Sequence, residues 1–190
     1  MKTMNFRKTT KSIITSLLAA ALLLSAAPTH AASTDAARSR CNDKVYAISL
    51  GNGKTETITG HFDNAMAKKA VRLLNNYRKK HGLTPLKTTA ALKKAAKTRA
   101  AESVIKQSHT RPNGLPWFTV DATTAYGENL ADNWPSAAVA MKMWKHSASH
   151  NNNMLSRDYG TVGIAVFACR TETTSGDIRY AYYYVQLFGR

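Results

Sequence analysis

Two apolar segments near the C-terminus constrain the fold more than any other feature of the sequence. Residues 162–169 are VGIAVFAC and residues 178–188 are IRYAYYYVQLF, and TSGD between them at residues 174–177 favours a turn. Apolar side chains occupy successive positions, so both faces of the two predicted strands are apolar. We therefore expect adjacent antiparallel strands in a sheet that is covered on both sides.

A helix is predicted ahead of this sheet, from Asp63 or Asn64 to about His81, because either residue at its start can act as the N-cap. Apolar side chains recur within it at spacings of three and four residues, which gives the helix one apolar stripe. Gly82 can adopt the left-handed conformation that ends a helix.

A second helix is predicted from Thr88 or Thr89 to about Gln107. Its buried side is expected to comprise Leu92, Ala95, Ala96, Ala100 and Val104. Its basic residues are expected to form a solvated face: Lys93, Lys94, Lys97 and Arg99. A later helix is predicted to carry Pro135 in its first turn and to bury Val139, Ala140, Met143 and Trp144. Helices thus precede adjacent strands, which predicts an α+β protein with a sheet between helical layers.

The first 60 residues differ from the rest of the chain. Residues 1–31 have a basic start, an apolar stretch from Ile13 to Ala27 and small residues up to Ala31, which is typical of a cleaved signal peptide. Residues 32–60 are predicted to be an N-terminal extension, in which Asn52 and Gly53 favour a type I′ turn between the strands of a hairpin. Residues 61–190 are predicted to form one domain.

The basic composition narrows the classes of partner. The chain has a net charge of +16, and residues 1–31 hold four of its 27 Lys and Arg but none of its 11 Asp and Glu. The rest of the chain therefore keeps 23 basic and 11 acidic residues, a net charge of +12. Such a field attracts polyanions, among them anionic lipid headgroups, wall polymers and polysaccharides. Because the charge is scattered along the chain, we expect no dedicated nucleic-acid site.

The cysteine content allows one disulfide. The two cysteines are Cys41 and Cys169, and an exported chain meets an oxidising environment. We therefore predict a Cys41–Cys169 disulfide that ties the N-terminal extension to the sheet.

Groups that bind metals or transfer protons recur between residues 108 and 155. The sequence there contains SHTRPNG at residues 108–114, YGENL at residues 126–130 and WKHSASHNNNML at residues 144–155. Imidazole nitrogen and carboxylate oxygen are common ligands of divalent cations, and they also transfer protons near neutral pH. Residue types alone leave both interpretations open.

The order of these motifs resembles the bacterial secreted branch of the CAP superfamily, also called SCP-like proteins. That branch has a His in S-H-x-x-P-x-G, a Glu in G-E-N and a second His in W-x-x-S-x-x-H-x-x-N-x-L, which this chain matches with His109, Glu128 and His150. The resemblance extends from about Phe62 to Phe188. It implies a three-layer α-β-α sandwich with an antiparallel sheet between helices.

The resemblance also implies a cleft with two His and two acidic residues that can bind a divalent cation such as zinc. His109, Glu128 and His150 carry over, but Thr161 stands where many bacterial members have the second acid. A hydrogen-bonded network without a metal, in which Glu128 accepts from both imidazoles, is the alternative.

Three further residues belong to the predicted cleft. His146 is a weaker candidate ligand, because it shares a helix face with His150 only if the turn between them is helical. Asn129 and Asn153 are expected to support the ligands or to stabilise turns.

The resemblance to this secreted branch and the signal peptide imply a secreted, extracellular protein. Family members vary in their partners, which include lipids, sterols, cell-envelope components and host proteins. We expect a monomeric, non-enzymatic binding module, held near the envelope by its charge. The alternative is a metal-dependent hydrolase that uses His109, Glu128 and His150. Three ligands with one open position suffice for catalytic zinc, but the motifs offer no obvious general base, and Thr161 occupies the position of the missing acid.

Overall fold

Six strands form one sheet in a computed structural model that describes residues 43–190. The strands are β1 (Lys44–Gly51), β2 (Lys54–Phe62), β3 (Lys87–Thr88), β4 (Gly127–Asp132), β5 (Thr161–Glu172) and β6 (Ile178–Gly189). Their order is β1-β2-β5-β6-β4, and each neighbouring pair in it is antiparallel. The two-residue β3 lies beside the start of β5 and runs parallel to it. The antiparallel pairing of β5 with β6 confirms the interpretation of the two apolar segments.

Four α-helices accompany the sheet within the described residues. They are α1 (Asn64–Lys80), α2 (Ala90–Ile105), α3 (Ala137–His146) and α4 (Ala148–Leu155), with a short 3-10 helix at Trp117–Val120. Asp63, Thr89 and Ser136 cap α1, α2 and α3, because each side-chain oxygen accepts a hydrogen bond from a backbone N–H in the first turn. The predicted caps of α1 and α2 thus form.

Two apolar cores lie on opposite faces of the sheet. On one face, α1, α3 and α4 pack against the even-numbered positions of β5, such as Val162 and Val166. On the other face, α2 packs against the odd-numbered positions, such as Ala165 and Phe167, and the core there includes Ile48 and Ile58 of the β1–β2 hairpin. This arrangement confirms the predicted three-layer α-β-α sandwich, because side chains alternate between faces along a strand.

The close contact between α2 and the sheet requires a glycine in β5. A Cβ atom at Gly163 would lie 2.2 Å from the backbone of Leu92 in α2, a distance that no side chain can tolerate. The small residues Ala95, Ala96 and Ala100 continue this contact along the buried side of α2.

The N-terminal hairpin forms one edge of the same sheet. Asn52 and Gly53 both have positive φ, at 51° and 73°, as a type I′ turn requires. Beyond the turn, β2 reaches Phe62, and its last three residues pair with β5. The hairpin is therefore continuous with the central strands.

Two expectations about buried positions were wrong. Met143 in α3 is 40% exposed, whereas Met141 is buried. The inner face of α3 consists of Ala137, Ala140, Met141 and Trp144, and Met143 lies on the opposite side of the helix. Arg99 in α2 belongs to the buried face and is fully enclosed, although we expected it among the solvated basic residues.

Arg78 holds α4, the helix that carries His150, against the end of α1. Its guanidinium is buried and donates hydrogen bonds to the carbonyls of Met154 and Ser156, each at 2.9 Å. It also donates to the carbonyl of Thr84, in the turn that follows α1. Burial lowers the pKa of Arg78, and three carbonyl acceptors compensate for the water that the cation has lost.

Two sequence expectations concern the part of the chain before residue 43. The signal peptide and Cys41 lie outside the described residues, so the Cys41–Cys169 disulfide stays a prediction. Cys169 is a buried residue of β5 with no disulfide partner among residues 43–190. Among those same residues, no helix is both long and apolar enough to cross a bilayer.

Candidate functional site

A buried arginine lies at the centre of the candidate site. Arg99 is 0% exposed and donates from Nε to Glu128 Oε2 at 2.7 Å and from Nη2 to Glu128 Oε1 at 3.2 Å. Its Nη1 donates to Glu102 Oε2 at 2.8 Å, and its Nη2 also donates to the carbonyl of Ser108 at 2.7 Å. One guanidinium therefore joins α2, β4 and the loop that follows α2.

A second arginine extends this cluster toward solvent. Arg111 donates from Nη2 to Glu102 Oε1 at 2.6 Å and from Nη1 to Thr119 Oγ1 at 3.2 Å. The charges alternate from Arg111 through Glu102 and Arg99 to Glu128. We call these four residues the arginine–glutamate network.

His109 contacts the end of this network. Its Nδ1 lies 2.8 Å from Glu128 Oε1, and an ionised carboxylate can only accept, so Nδ1 carries the proton and donates it. The His109 side chain is 59% exposed, whereas that of Glu128 is 1% exposed. The contact fixes the orientation of the imidazole and leaves its Nε2 free of the carboxylate.

The loop that carries His109 is folded by its own backbone. Arg111 N–H donates to the carbonyl of Leu115 at 2.8 Å, and Trp117 N–H donates to the carbonyl of His109 at 2.9 Å. Thr110 and Pro116 form an isolated bridge between these two bonds. The prolines and the glycine of residues 112–116 thus build a narrow turn that holds His109 against Glu128.

Three consecutive residues of β4 have separate roles. Glu128 points to the α2 side of the sheet, and Asn129 points to the opposite side, because side chains alternate along a strand. Gly127 precedes them because a Cβ atom there would lie 2.6 Å from the hydroxyl of Tyr159. Strand β4 can therefore bind groups from both helical layers.

Asn129 and Asn153 attach α4 to β4. Asn129 Nδ2 donates to the carbonyl of His150 at 3.0 Å and to Gln186 Oε1 at 3.0 Å. Asn153 Nδ2 donates to Asn129 Oδ1 at 2.9 Å and to the backbone carbonyl of Glu128 at 3.2 Å. These bonds place His150 on the α4 side of the strand that carries Glu128.

The pKa values of His150 and Arg99 are shifted in opposite directions. Burial lowers the pKa of His150, and the nearby charge of His109 lowers it further, so His150 favours the neutral form. Burial also acts to lower the pKa of Arg99, but its hydrogen bonds and charge interactions with Glu128 and Glu102 outweigh that effect and raise it. The arginine is thus held firmly in its charged form.

The structure brings some of the predicted site residues together. His109 contacts Glu128 directly, and His150 lies close enough to His109 for the two charges to interact. His146 is exposed at the C-terminal end of α3, and Ser147 separates that helix from α4. His146 and His150 therefore do not share one helix.

The donor set does not fit a three-ligand metal centre in this arrangement. Both oxygens of Glu128 already accept from Arg99, and one of them also accepts from His109. Across residues 43–190, no group of three His, Cys, Asp or Glu side chains is arranged to hold a metal ion. The guanidinium of Arg99 occupies the position of a cation beside Glu128.

Sequence reasoning missed Arg99, Glu102 and Arg111 as members of the site. A signal was available, because Arg99 and Glu102 continue the helical spacing that begins at Leu92 and Ala95 on the buried side of α2. Two opposite charges three residues apart on an otherwise apolar stripe indicate a buried ion pair.

Comparison of the sequence with known protein families gives one assignment. The model of the CAP family, described as the cysteine-rich secretory protein family, matches residues 71–188. The protein YkwD of Bacillus subtilis (strain 168), described as uncharacterized, is 31% identical over 121 residues, which are 58% of this chain and 47% of YkwD. The matched part of the chain thus spans about half the length of that relative.

Two solved structures share the fold. An outer surface protein of Borrelia burgdorferi has a TM-score of 0.54 and 24% identity, over 69% of this chain and 98% of that protein. An extracellular protein of Bacillus anthracis str. Ames that contains an SCP domain has a TM-score of 0.53 and 21% identity, over 67% of this chain and 41% of that protein. At these identities the similarity concerns the fold alone.

Replacement of Arg99 by Met is expected to destabilise the fold by about 3–5 kcal/mol, because it leaves the buried carboxylate of Glu128 without its cation. Glu102 keeps Arg111 as a partner, so the loss is concentrated at Glu128. Urea unfolding of the purified protein measures the change.

The double variant Arg99→Met with Glu128→Gln is the matched control and should recover part of this loss, because it removes the unpaired charge. His109→Ala, at an exposed position, should cost less than about 1 kcal/mol. Equal losses for the single and double Arg99 variants would contradict this account of the network.

His150 is expected to make the fold less stable in mild acid. Its pKa in the folded state is lower than the ordinary value of about 6.5, so the unfolded chain binds the proton more readily. Protonation of His150 therefore does not affect the free energy of unfolding well above pH 6.5. Its destabilising effect grows as pH falls from there toward the folded-state pKa. Urea midpoints at pH 7.5 and 5.5 should differ less in His150→Gln than in the parent.

The control is His146→Gln, at an exposed histidine, which should leave the difference between the two midpoints unchanged. An unchanged difference in His150→Gln would refute the assignment of this pH dependence to His150.

Proposed function

Because the chain belongs to the CAP family of cysteine-rich secretory proteins, we propose that it is a secreted, non-enzymatic binding module for anionic components of the extracellular surface. The observation that carries this proposal is the state of Glu128. Its side chain is buried, and both of its oxygens accept hydrogen bonds from Arg99. A general base must reach a substrate proton, and this carboxylate is enclosed by Arg99 and His109 with a side chain only 1% exposed.

The second carboxylate of the cluster is in the same state. Glu102 accepts from both Arg99 and Arg111, and it too is buried. The two arginines thus neutralise the two acids of the arginine–glutamate network. Neither carboxylate of the network is therefore placed to accept a proton from a substrate.

Charge supports the choice of an anionic partner. The chain from residue 32 onward has 23 basic and 11 acidic residues. A net positive charge of this size attracts polyanions over distances of several ångströms, within the screening length of the solution. Lipid headgroups, wall polymers and acidic host surfaces all carry the required charge.

Export is supported by two observations. Residues 1–31 have the basic start, apolar centre and small final residues of a signal peptide. The two proteins with the same fold are described as an outer surface protein and an extracellular protein. We propose that this chain is exported and remains near the envelope through its charge.

A metal-dependent hydrolase is the second candidate. It is favoured by the exposed imidazole of His109, whose Nε2 is not used by Glu128, and by His150, whose lowered pKa keeps a nitrogen available in mild acid. Glu128 would then orient His109, as carboxylates do behind metal-bound histidines. Two imidazoles leave a zinc ion short of the three protein ligands of catalytic sites, so we expect weak binding and little turnover.

The binding proposal predicts salt-sensitive adsorption. A chain of residues 32–190 should sediment with vesicles that contain phosphatidylglycerol and should not sediment with neutral phosphatidylcholine vesicles. The bound fraction should fall steeply between 0.01 and 0.1 M salt, because the screening length shortens from about 30 Å to about 10 Å. Retention that ignores salt would contradict a charge-based attachment. Turnover of casein, a lipid ester or a nucleic acid with added zinc would favour the hydrolase instead.

Zinc affinity separates the two candidates further. Isothermal titration is expected to show weak binding that is lost in both His109→Ala and His150→Ala, while the His146→Ala control keeps the parent affinity. Protonation competes with the metal, but the lowered pKa of His150 should shift the loss of affinity to below about pH 6.5. Unchanged affinity in both variants would remove the cleft as a metal site.

A further inference from the structure

A groove with a volume of about 750 Å³ lies between the beginnings of α1 and α2. Its rim carries Lys68 from α1 and Lys93, Lys94 and Lys97 from α2, while Val71 and Ile164 contribute to its apolar lining. None of the residues that line it belongs to the arginine–glutamate network. Its volume is in the usual range of ligand pockets, about 300–1,000 Å³. We call it the lysine groove.

The four lysines carry positive charge without a protein counter-charge. All four are exposed, and within residues 43–190 no carboxylate forms an ion pair with any of them. The first turns of α1 and α2, which line the groove, contain no acidic residue. The groove therefore complements an anionic partner.

The sheet is interrupted at the groove. On one side of β5, β3 pairs with residues 161 and 162. On the same side, β2 pairs with residues 167–169 and the next residue, Asp63, bonds to Val166, so residues 163–165 lie between the two partner segments. The carbonyl of Val166 points to this side, because it accepts from Asp63 N–H at 2.9 Å. Backbone groups two residues apart point the same way, so the N–H and C=O of Ile164 also face the gap.

We propose that the lysine groove binds an extended peptide with acidic side chains, which adds as a short strand to the edge of β5 at Ile164. A peptide backbone offers an acceptor for the Ile164 N–H and a donor for its C=O, whereas phosphate diesters and carboxylates offer acceptors only. Alternate side chains of the bound strand point to opposite sides. Apolar ones can therefore contact Val71 while acidic ones approach the lysines.

The N-terminal segment of the chain itself does not match this charge requirement. Residues 32–42 contain one acid, Asp35, against two basic residues, Arg38 and Arg40. A separate acidic polypeptide is the occupant that charge favours. The proposal rests on the role of the chain as a binding module, and it assigns that role a partner class at a surface outside the His109 cleft.

The probe for this site is a fluorescein-labelled peptide, Glu-Val-Glu-Val-Glu, blocked at both ends, with Lys-Val-Lys-Val-Lys as its charge-reversed control. Fluorescence anisotropy with residues 32–190 at 0.05 M salt should show binding of the acidic peptide alone. The triple variant Lys68→Gln, Lys93→Gln, Lys97→Gln should weaken it by about tenfold or more, because three counter-charges are lost.

A matched variant with the same net charge tests whether the groove itself is needed. Lys79→Gln, Lys80→Gln, Lys142→Gln removes three exposed lysines that do not line the groove. It should retain the parent affinity within about twofold if local charge rather than total charge decides binding. Equal weakening in both triple variants would overturn the proposal, since it would show attraction to net charge alone.

Strand addition has its own test. A peptide of the same sequence with alternate amides N-methylated keeps its charge but loses ladder hydrogen bonds, and it should bind about tenfold more weakly. The unmodified peptide should slow hydrogen exchange at the Ile164 amide. Equal affinity for both peptides, or an Ile164 amide unaffected by the unmodified one, would overturn the proposal.

Anionic lipid provides the last comparison. If phosphatidylglycerol vesicles leave the peptide bound to the parent and bind the groove variant as they bind the parent, the lipid acts elsewhere and the proposal stands. If the groove variant alone loses vesicle binding while the peptide does not bind, the groove is a lipid site and the proposal fails, although the proposed binding function stands. If the parent binds neither vesicles nor peptide, the result counts against the peptide proposal and against the proposed binding function.

Discussion

The buried guanidinium of Arg99 is the interaction on which the rest of the candidate site depends. It joins α2 to β4 through Glu128 and to the following loop through the carbonyl of Ser108. Removing an arginine and two carboxylates from water costs several kcal/mol for each ion, and only their mutual pairing offsets that cost. Each charge therefore requires the others in place. The position of His109 is a consequence, because the carboxylate that Arg99 holds is the one to which the imidazole donates.

The site lies on an edge strand, and this location lets both helical layers contribute to it. Glu128 faces α2 and binds Arg99, while its neighbour Asn129 faces α4 and binds the carbonyl of His150. The central strand β5 has apolar side chains on both faces, as at Ala165 and Val166, and the neighbouring interior strand β6 contributes the buried amide of Gln186 to the site. The G-E-N sequence thus has a physical reason at each position: space for Tyr159, an acid for one layer and an amide for the other.

Charge is distributed in two different ways over the molecule. In the cleft, arginine neutralises each carboxylate, so the surface is ordered but offers little free charge. In the lysine groove, no carboxylate among the described residues pairs with the lysines, and the sheet edge beside them is interrupted between β2 and β3. The carboxylates of the cleft are thus paired with arginines, whereas the lysines of the groove keep a positive charge that an anionic ligand can pair with. In the groove, backbone groups of β5 face a space large enough for a ligand.

The sequence by itself determined the layers of this protein. Apolar residues at successive positions of β5 and β6 require cover on both faces, and the caps at Asp63 and Thr89 define where α1 and α2 begin. The motifs around His109, Glu128 and His150 also identified the region of the site. The predicted start of α3 was wrong, because Pro135 precedes the cap at Ser136 instead of lying in the first turn. Only the tertiary structure decided the chemistry of Glu128. A sequence contains the charges of Arg99, Glu102 and Arg111, but whether a charge is solvated or paired depends on which residues the fold encloses beside it, and these come from a helix, a loop and a strand far apart along the chain.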